Sequence, residues 1–244
     1  MQRYYSNIYW HFTGSPENID WSKLEKPQDI LQYGSPKKEE HSVEIMFKIL
    51  ESKKLLATCY EKIAENFQTE KFCCVTDIPL KDLLTHGKYY GNVAIGFKAK
   101  AIHDNFMPVL YISENNLPFI KKIFHDPELV DMAYKELLYD DPQGIRNFYS
   151  LMSIARKEKA EIDISKISNF LSNFIKITKF DIKDGVSFYR EREWRHIGDF
   201  NFKLEDIEAV VVPQKLIGDV KEKLSVIYEL KKISIIAWEF LQLA

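Results

Sequence analysis

The segment Tyr189-Arg190-Glu191-Arg192-Glu193-Trp194-Arg195 sets two carboxylates inside the tightest arginine cluster of the chain. Read as a strand, its side chains alternate: Tyr189, Glu191, Glu193 and Arg195 share one face, and Arg190, Arg192, Trp194 and His196 the other. Glutamates two residues apart on a strand stand roughly 7 Å apart, near enough to line one pocket, with the flanking arginines offsetting their repulsion. A solvent-facing edge strand laced with salt bridges would carry the same pattern. His11 is the second candidate, within Trp10-His11-Phe12-Thr13-Gly14. An imidazole there serves either as a hydrogen-bonded core group or as a ligand contact, and Gly14 allows a close backbone approach or a turn. The third is Thr76-Asp77-Ile78-Pro79 with the Gly-bracketed, polar His86-Gly87-Lys88-Tyr89-Tyr90-Gly91. Read as a segment between strands, it offers Tyr89 and Tyr90 as a stacking face or as buried anchors.

Familiar alternatives lack support. The chain has no glycine-rich phosphate loop, no His-Glu-x-x-His and no Gly-x-Ser-x-Gly. Cys59, Cys73 and Cys74 show no metal-ligand spacing, so no metal site is expected, and they read as free thiols of a reducing cytoplasm. The opening residues lack a secretory signal, and no apolar run approaches the roughly 20 residues of a membrane-spanning helix. A net charge of −2 argues against nonspecific nucleic-acid binding over the whole surface, though not against a local basic cleft. The 244 residues, 45% apolar and 29% charged, exclude wholesale disorder and fit a single domain over 1–244.

The elements that must position these groups follow from periodicity. Strands are expected over 7–14, 72–75, 92–97, 108–112, 186–195, 207–213 and 233–238. Residues 15–41 read as a polar loop. Val43, Met46, Phe47 and Leu50 give a helix stripe with Ser42 as a possible N-cap, and Leu216, Val220, Leu224 and Ile227 give a second. A helical insertion is expected over about 114–180, with Phe119, Ile120, Ile123 and Phe124 paired at helical spacing and Ile167, Phe170, Leu171 and Phe174 as another stripe. This order does not alternate strictly, which predicts an α+β fold.

Taken together, Trp10-His11-Phe12-Thr13-Gly14, Val75-Thr76-Asp77-Ile78-Pro79, Tyr90-Gly91, Ala94-Ile95-Gly96-Phe97, Pro108-Val109-Leu110-Tyr111-Ile112 and Arg190-Glu191-Arg192-Glu193-Trp194-Arg195 resemble the abortive phage-infection family AbiGi. That family is described as the antitoxin half of a two-gene phage-resistance system, which implies a toxin or other neighbour-encoded partner. A more distant similarity is to ADP-ribosyltransferases, in the early Trp-His-x-Thr, the central tyrosine and the late glutamate followed by an aromatic. It implies a split antiparallel sheet, NAD as co-substrate, and a protein or nucleic-acid acceptor. By that resemblance His11 contacts an NAD ribose, Thr13 and Gly14 border the nicotinamide, and Tyr90 orients it. Glu193 is then the catalytic carboxylate and Glu191 its upstream partner. Phe12 departs from the poly-ADP-ribosylating branch, where glycine is common. The competing readings are a non-catalytic antitoxin or regulator with the same fold, and a pocket for some other nucleotide.

Overall fold

The computed structural model describes residues 7–64, 67–118, 170–180, 187–227 and 232–243. Their framework is a seven-stranded sheet built from two halves. In one half β1 (Ile8–Phe12) pairs antiparallel with β6 (Ala94–Lys98), which pairs antiparallel with β12 (Ile207–Val212); β13 (Ser234–Ala237) adds in parallel. In the other half β5 (Phe72–Thr76) pairs antiparallel with β10 (Glu193–Ile197), and β10 with β7 (Met107–Pro108). The halves meet through one register pair between β1 and β5, Trp10 opposite Thr76. A mixed α and β architecture is therefore observed, but the sheet is not wholly antiparallel, because the chain returns through a helix before β13 and so enters it in the direction of β12.

Both faces are buried, which accounts for apolar runs in place of simple alternation. Tyr9, Val75, Ile95, Phe97, Val210 and Val212 face α1 (Glu39–Ser52), the short α3 (Ala99–His103) and α4 (Ile217–Ser225). The stripe of Val43, Met46, Phe47 and Leu50 does pack there, as do Val220 and Leu224. Trp10, Phe12, Ala94, Ala209 and Val211 face the opposite way, under Ile78, Leu83, Trp238 and Leu241.

Several expected boundaries are corrected. Helix α1 starts at Glu39, with Lys38 at the cap; Ser42 lies inside the first turns, and its hydroxyl donates to the Lys38 carbonyl. Acidic Glu39 and Glu40 at the positive helix end favour that earlier start. The stretch 15–41 holds two 3-10 turns, at Trp21–Lys23 and Pro27–Gln32, as well as polar loop. His86–Gly91 is not a loop between strands: α2 (Leu83–Tyr90) runs into it and ends at Gly91. The expected strand at 108–112 breaks at Val109, and β8 (Leu110–Ser113) leaves the main sheet to pair in parallel with β9 (Ile175–Thr178). Strand β9 also cuts short the expected helical insertion; Phe170 and Leu171 are helical but Phe174 lies in a turn, and the remainder of that insertion lies outside the described residues. Short strands β2 (Lys54–Leu55), β3 (Lys62–Ala64), β4 (Phe67–Gln68) and β11 (Phe200–Asn201) carry too few residues to show a period.

At Gly96 an added Cβ would stand 2.7 Å from Ile8 Cγ2 and 2.8 Å from Trp10 Cζ3, so the indole of Trp10 crosses β6 only because that position has no side chain. Overpacking of this kind typically costs about 1–3 kcal/mol. Gly96→Ala should lose stability in that range in denaturant titrations, whereas Gly198→Ala, with open space around it, should lose only what its positive φ demands.

Candidate functional site

Residues 188–191 are not the beginning of a strand. They form a 3-10 turn, Arg192 follows in the left-handed region at φ 47°, and only then does β10 begin at Glu193. With three residues per turn, positions three apart share a face. Phe188 and Glu191 accordingly point inward and are buried, while Tyr189 and Arg190 are exposed. Strand alternation thus fails at 189–192, although Glu191, Glu193 and Arg195 still converge. The arginines do not act as one cluster: Arg195 is fully buried, whereas Arg192 reaches out to Asp77 at 2.8 Å.

The convergence is electrostatic. Arg195 donates from Nε to Glu193 Oε1 at 2.9 Å and from Nη2 to Glu193 Oε2 at 3.1 Å and Glu61 Oε2 at 2.5 Å. Its Nη1 donates to the Asn173 carbonyl at 3.0 Å, and its guanidinium lies 4.2 Å over the Phe72 ring. Lys176, from β9, donates to Glu191 Oε2 and Glu193 Oε2, each at 2.9 Å, and stands 3.0 Å from Glu61 Oε1. It also sits 4.1 Å over the Phe188 ring, which anchors the 3-10 turn. Tyr90 OH donates to Glu191 Oε1, and Thr76 Oγ1 to the Glu191 carbonyl. The break at Val109 makes this possible. Val109 N–H donates to the Glu193 carbonyl, while the next residue, Leu110, donates to the Phe174 carbonyl and so leads β8 to β9, the strand that carries Lys176. Tyr111 of β8 accepts from Glu193 N–H at 2.8 Å.

Three carboxylates and two cations leave this group one negative charge in excess. Burial raises Glu191, against the opposing pull of Lys176, and neighbouring Glu193 adds to the rise. Burial acts the same way on Glu193, but Arg195 and Lys176 overcome it and hold that carboxyl down to about 2. The two glutamates are therefore unlike: Glu193 is a fixed anion, and Glu191 is the member that holds a proton more readily. Burial, with the charge of Glu191, raises Tyr90 and keeps its hydroxyl a donor.

His11 stands across the junction of the sheet halves. Its Nδ1–H donates to the Cys74 carbonyl at 2.9 Å, spanning the gap where β1 and β5 cease to pair. Burial lowers its pKa in spite of that bond, so the neutral ring presents Nε2 as an acceptor. His11, Thr13, Tyr90, Glu191 and Glu193 all line one cavity of about 590 Å³, together with Trp21, Lys37, Cys59, Glu61 and Lys176. The Thr13 hydroxyl is directed away, donating to the Ser42 carbonyl at 2.9 Å. Gly14 does not line the cavity. Its N–H donates to the Tyr90 carbonyl at 3.1 Å, and an added Cβ would stand 2.8 Å from Gly91 Cα, so it locks β1 to the end of α2. Tyr90 is stacked on His86 at 4.2 Å and lies parallel to Trp21 at 6.4 Å, so it is an anchor as well as a residue of the lining.

Lys176 and Glu61 carry much of this geometry and escaped the sequence reading. A signal is present for Lys176 alone: a lone lysine inside Phe174-Ile175-Lys176-Ile177 is a buried-strand pattern interrupted by one charge. Among the described residues no group of three or more His, Cys, Asp or Glu side chains could hold a metal ion, and no helix is long and apolar enough to cross a membrane.

Residues 52–239 match the family model described as "Putative abortive phage resistance protein AbiGi, antitoxin". The chain belongs to the AbiGi family. Its match takes in Tyr90, Lys176, both glutamates and Arg195, and leaves His11 outside. No curated protein and no solved structure matches the chain. Membership of AbiGi places the protein in phage defence by abortive infection.

Removing one member of a buried ion network leaves its partners uncompensated, at a cost of about 3–5 kcal/mol. Lys176→Met should lower unfolding stability by that amount, since three carboxylates would then share Arg195 alone. A second prediction concerns acid. Burial, with the nearby Lys176 charge, holds His86 down to about 3, against 6.5 for an ordinary histidine. The unfolded chain therefore binds a proton that the folded chain refuses, and stability present above pH 6.5 is lost as pH falls towards 3. His86→Phe keeps a ring on Tyr90 without the titration; its stability should fall less steeply over that interval in urea melts at stepped pH.

Proposed function

We propose that this AbiGi protein is an NAD-dependent ADP-ribosyltransferase of phage defence. The observation that carries this reading is the meeting of His11 with Tyr90, Glu191 and Glu193 in one cavity, across the single register pair that joins the sheet halves. A cavity of about 590 Å³ is within the size range of small-molecule and cofactor sites. Its donor set also suits NAD. His11 Nε2 accepts from a ribose hydroxyl, Tyr90 and Trp21 offer ring walls, and the excess negative charge of the carboxylate group faces a cationic nicotinamide.

NAD supplies the glycosidic bond between C1′ and the nicotinamide nitrogen; that bond breaks with its electron pair leaving on nicotinamide as the acceptor bonds to C1′. The residues divide the remaining work. Glu193, held ionised by Arg195 and Lys176, stabilises the positive charge that develops at C1′ and needs no reorganisation to do so. Glu191 takes the proton that the acceptor gives up. Lys176 fixes the two carboxylates relative to each other. One observation favours the antitoxin reading, in which the same fold binds a toxin without catalysis: every oxygen of Glu193 already receives a cationic donor, as in a purely structural ion pair.

The experiment is release of nicotinamide and transfer of label from NAD, with wild type beside Glu193→Gln, Glu191→Gln and His11→Ala. Loss of one preorganised electrostatic group typically costs about 10²–10³-fold in rate, and Glu193→Gln should fall by that much. NAD at about 100 times Kd should stabilise the wild type by roughly 2.7 kcal/mol, and His11→Ala should reduce that shift. No release, no NAD-induced shift and co-purification with a neighbour-encoded toxin unaffected by Glu193→Gln would overturn the enzyme in favour of the antitoxin. A shift with another nucleotide alone would reassign the pocket.

A further inference from the structure

A second cavity, of about 620 Å³, lies against the same carboxylates. Among the described residues only His86, Tyr90, Glu191 and Glu193 line both hollows, so the glutamate pair stands where the two adjoin. The far chamber differs in character from the near one. Tyr189 stands at its rim, 57% exposed, edge-on to the Tyr111 ring at 5.4 Å. Arg190 is exposed beside it, and Arg192 is paired with Asp77. Asp82 adds a further carboxylate to the lining.

We infer that this second cavity is the acceptor site, and that it receives an unpaired nucleobase of a single-stranded nucleic acid. This rests on the reading of the first cavity as the NAD site. The 3-10 turn supplies the mechanical reason. Its inward residue Glu191 lines the place where the hollows adjoin, and its outward residues Tyr189 and Arg190 are exposed, so whatever stacks on Tyr189 is held at a fixed offset from the proton acceptor. A tyrosine plane suits a base of any identity, and an exposed arginine next to it suits the adjoining phosphate. Asp82 can accept from the amino edge of the base. The near-neutral surface elsewhere keeps such binding local. In the transfer, a base nitrogen bonds to C1′, the bond to nicotinamide breaks with its electron pair leaving on nicotinamide, and the displaced proton passes to Glu191.

Anisotropy of fluorescein-labelled single-stranded DNA and RNA oligonucleotides on the full chain tests the site without requiring turnover. Stacking on an aromatic ring is worth about 1–3 kcal/mol per base, so Tyr189→Ala should weaken binding by about fivefold to a hundredfold or more. Tyr189→Phe, which keeps the ring, should stay within about twofold, and Arg190→Glu should weaken binding and flatten its salt dependence. Oligonucleotide affinity indifferent to Tyr189→Ala, or label from NAD arriving on protein side chains and never on the oligonucleotide, overturns the inference. Nicotinamide release without oligonucleotide binding sinks this site and leaves the NAD reading standing. Tyr189-dependent binding without NAD cleavage does the reverse: the base pocket stands and its role as acceptor falls.

Discussion

The arrangement depends on two buried cations held among three carboxylates. Arg195 and Lys176 come from different strands, Glu61 from the approach to a third, and Glu191 from a 3-10 turn. Charges this deeply buried are tolerated only when each is answered by opposite charge and by hydrogen bonds, and here the backbone carbonyls of Asn173 and Ile175 complete the shell of Arg195. The need to satisfy these ions explains otherwise odd local choices. The chain breaks at Val109 so that β8 can run to β9, Arg192 accepts a left-handed conformation so that the turn can feed β10, and Phe188 slides beneath the ammonium. Strain and buried charge in one place are a recurring mark of working sites.

The cavity itself comes from incomplete pairing. Strands β1 and β5 share one register pair and then part, and a gap opened in a sheet exposes backbone groups that require partners. His11 fills that need by donating to the Cys74 carbonyl, which also fixes its tautomer. A structural requirement of the sheet thus fixes the orientation of a ring that lines the hollow. Gly14 and Gly91, in backbone contact just beyond, hold α2 and Tyr90 against the same end of β1.

Much of this was legible from the residues, and what was missed has physical causes. The long periodic stripes of α1 and α4 and the apolar runs of β5, β6 and β12 read correctly because both sheet faces are buried. The convergence of Glu191, Glu193 and His11 on one hollow agrees with their types, but the route differs: a two-residue period cannot disclose that 188–191 coils with a three-residue one. From the residues alone Gly14 reveals only a close approach or a turn, and its place at the border of a ligand is what the transferase resemblance implies; the group that comes close is Gly91. Glu61 leaves no signal because ion pairing across distant segments has no local period, whereas Lys176 shows as one charge interrupting an apolar run. Helix α2 was hidden by its central Gly87 and polar composition, since its hold comes from Leu83 and Tyr89 packed in the tertiary structure.

The separation of those partners along the polypeptide has a consequence for biosynthesis. Glu61 and Arg195 are 134 residues apart, and the hydrogen bond between them closes the group. During translation the acidic side chain emerges from the ribosome long before either cation, and waits in water. A nascent or truncated polypeptide ending short of β10 therefore offers Glu61 only Lys176 as a counter-ion and lacks both Glu193 and Arg195, so the cleft is assembled only once β10 has been made.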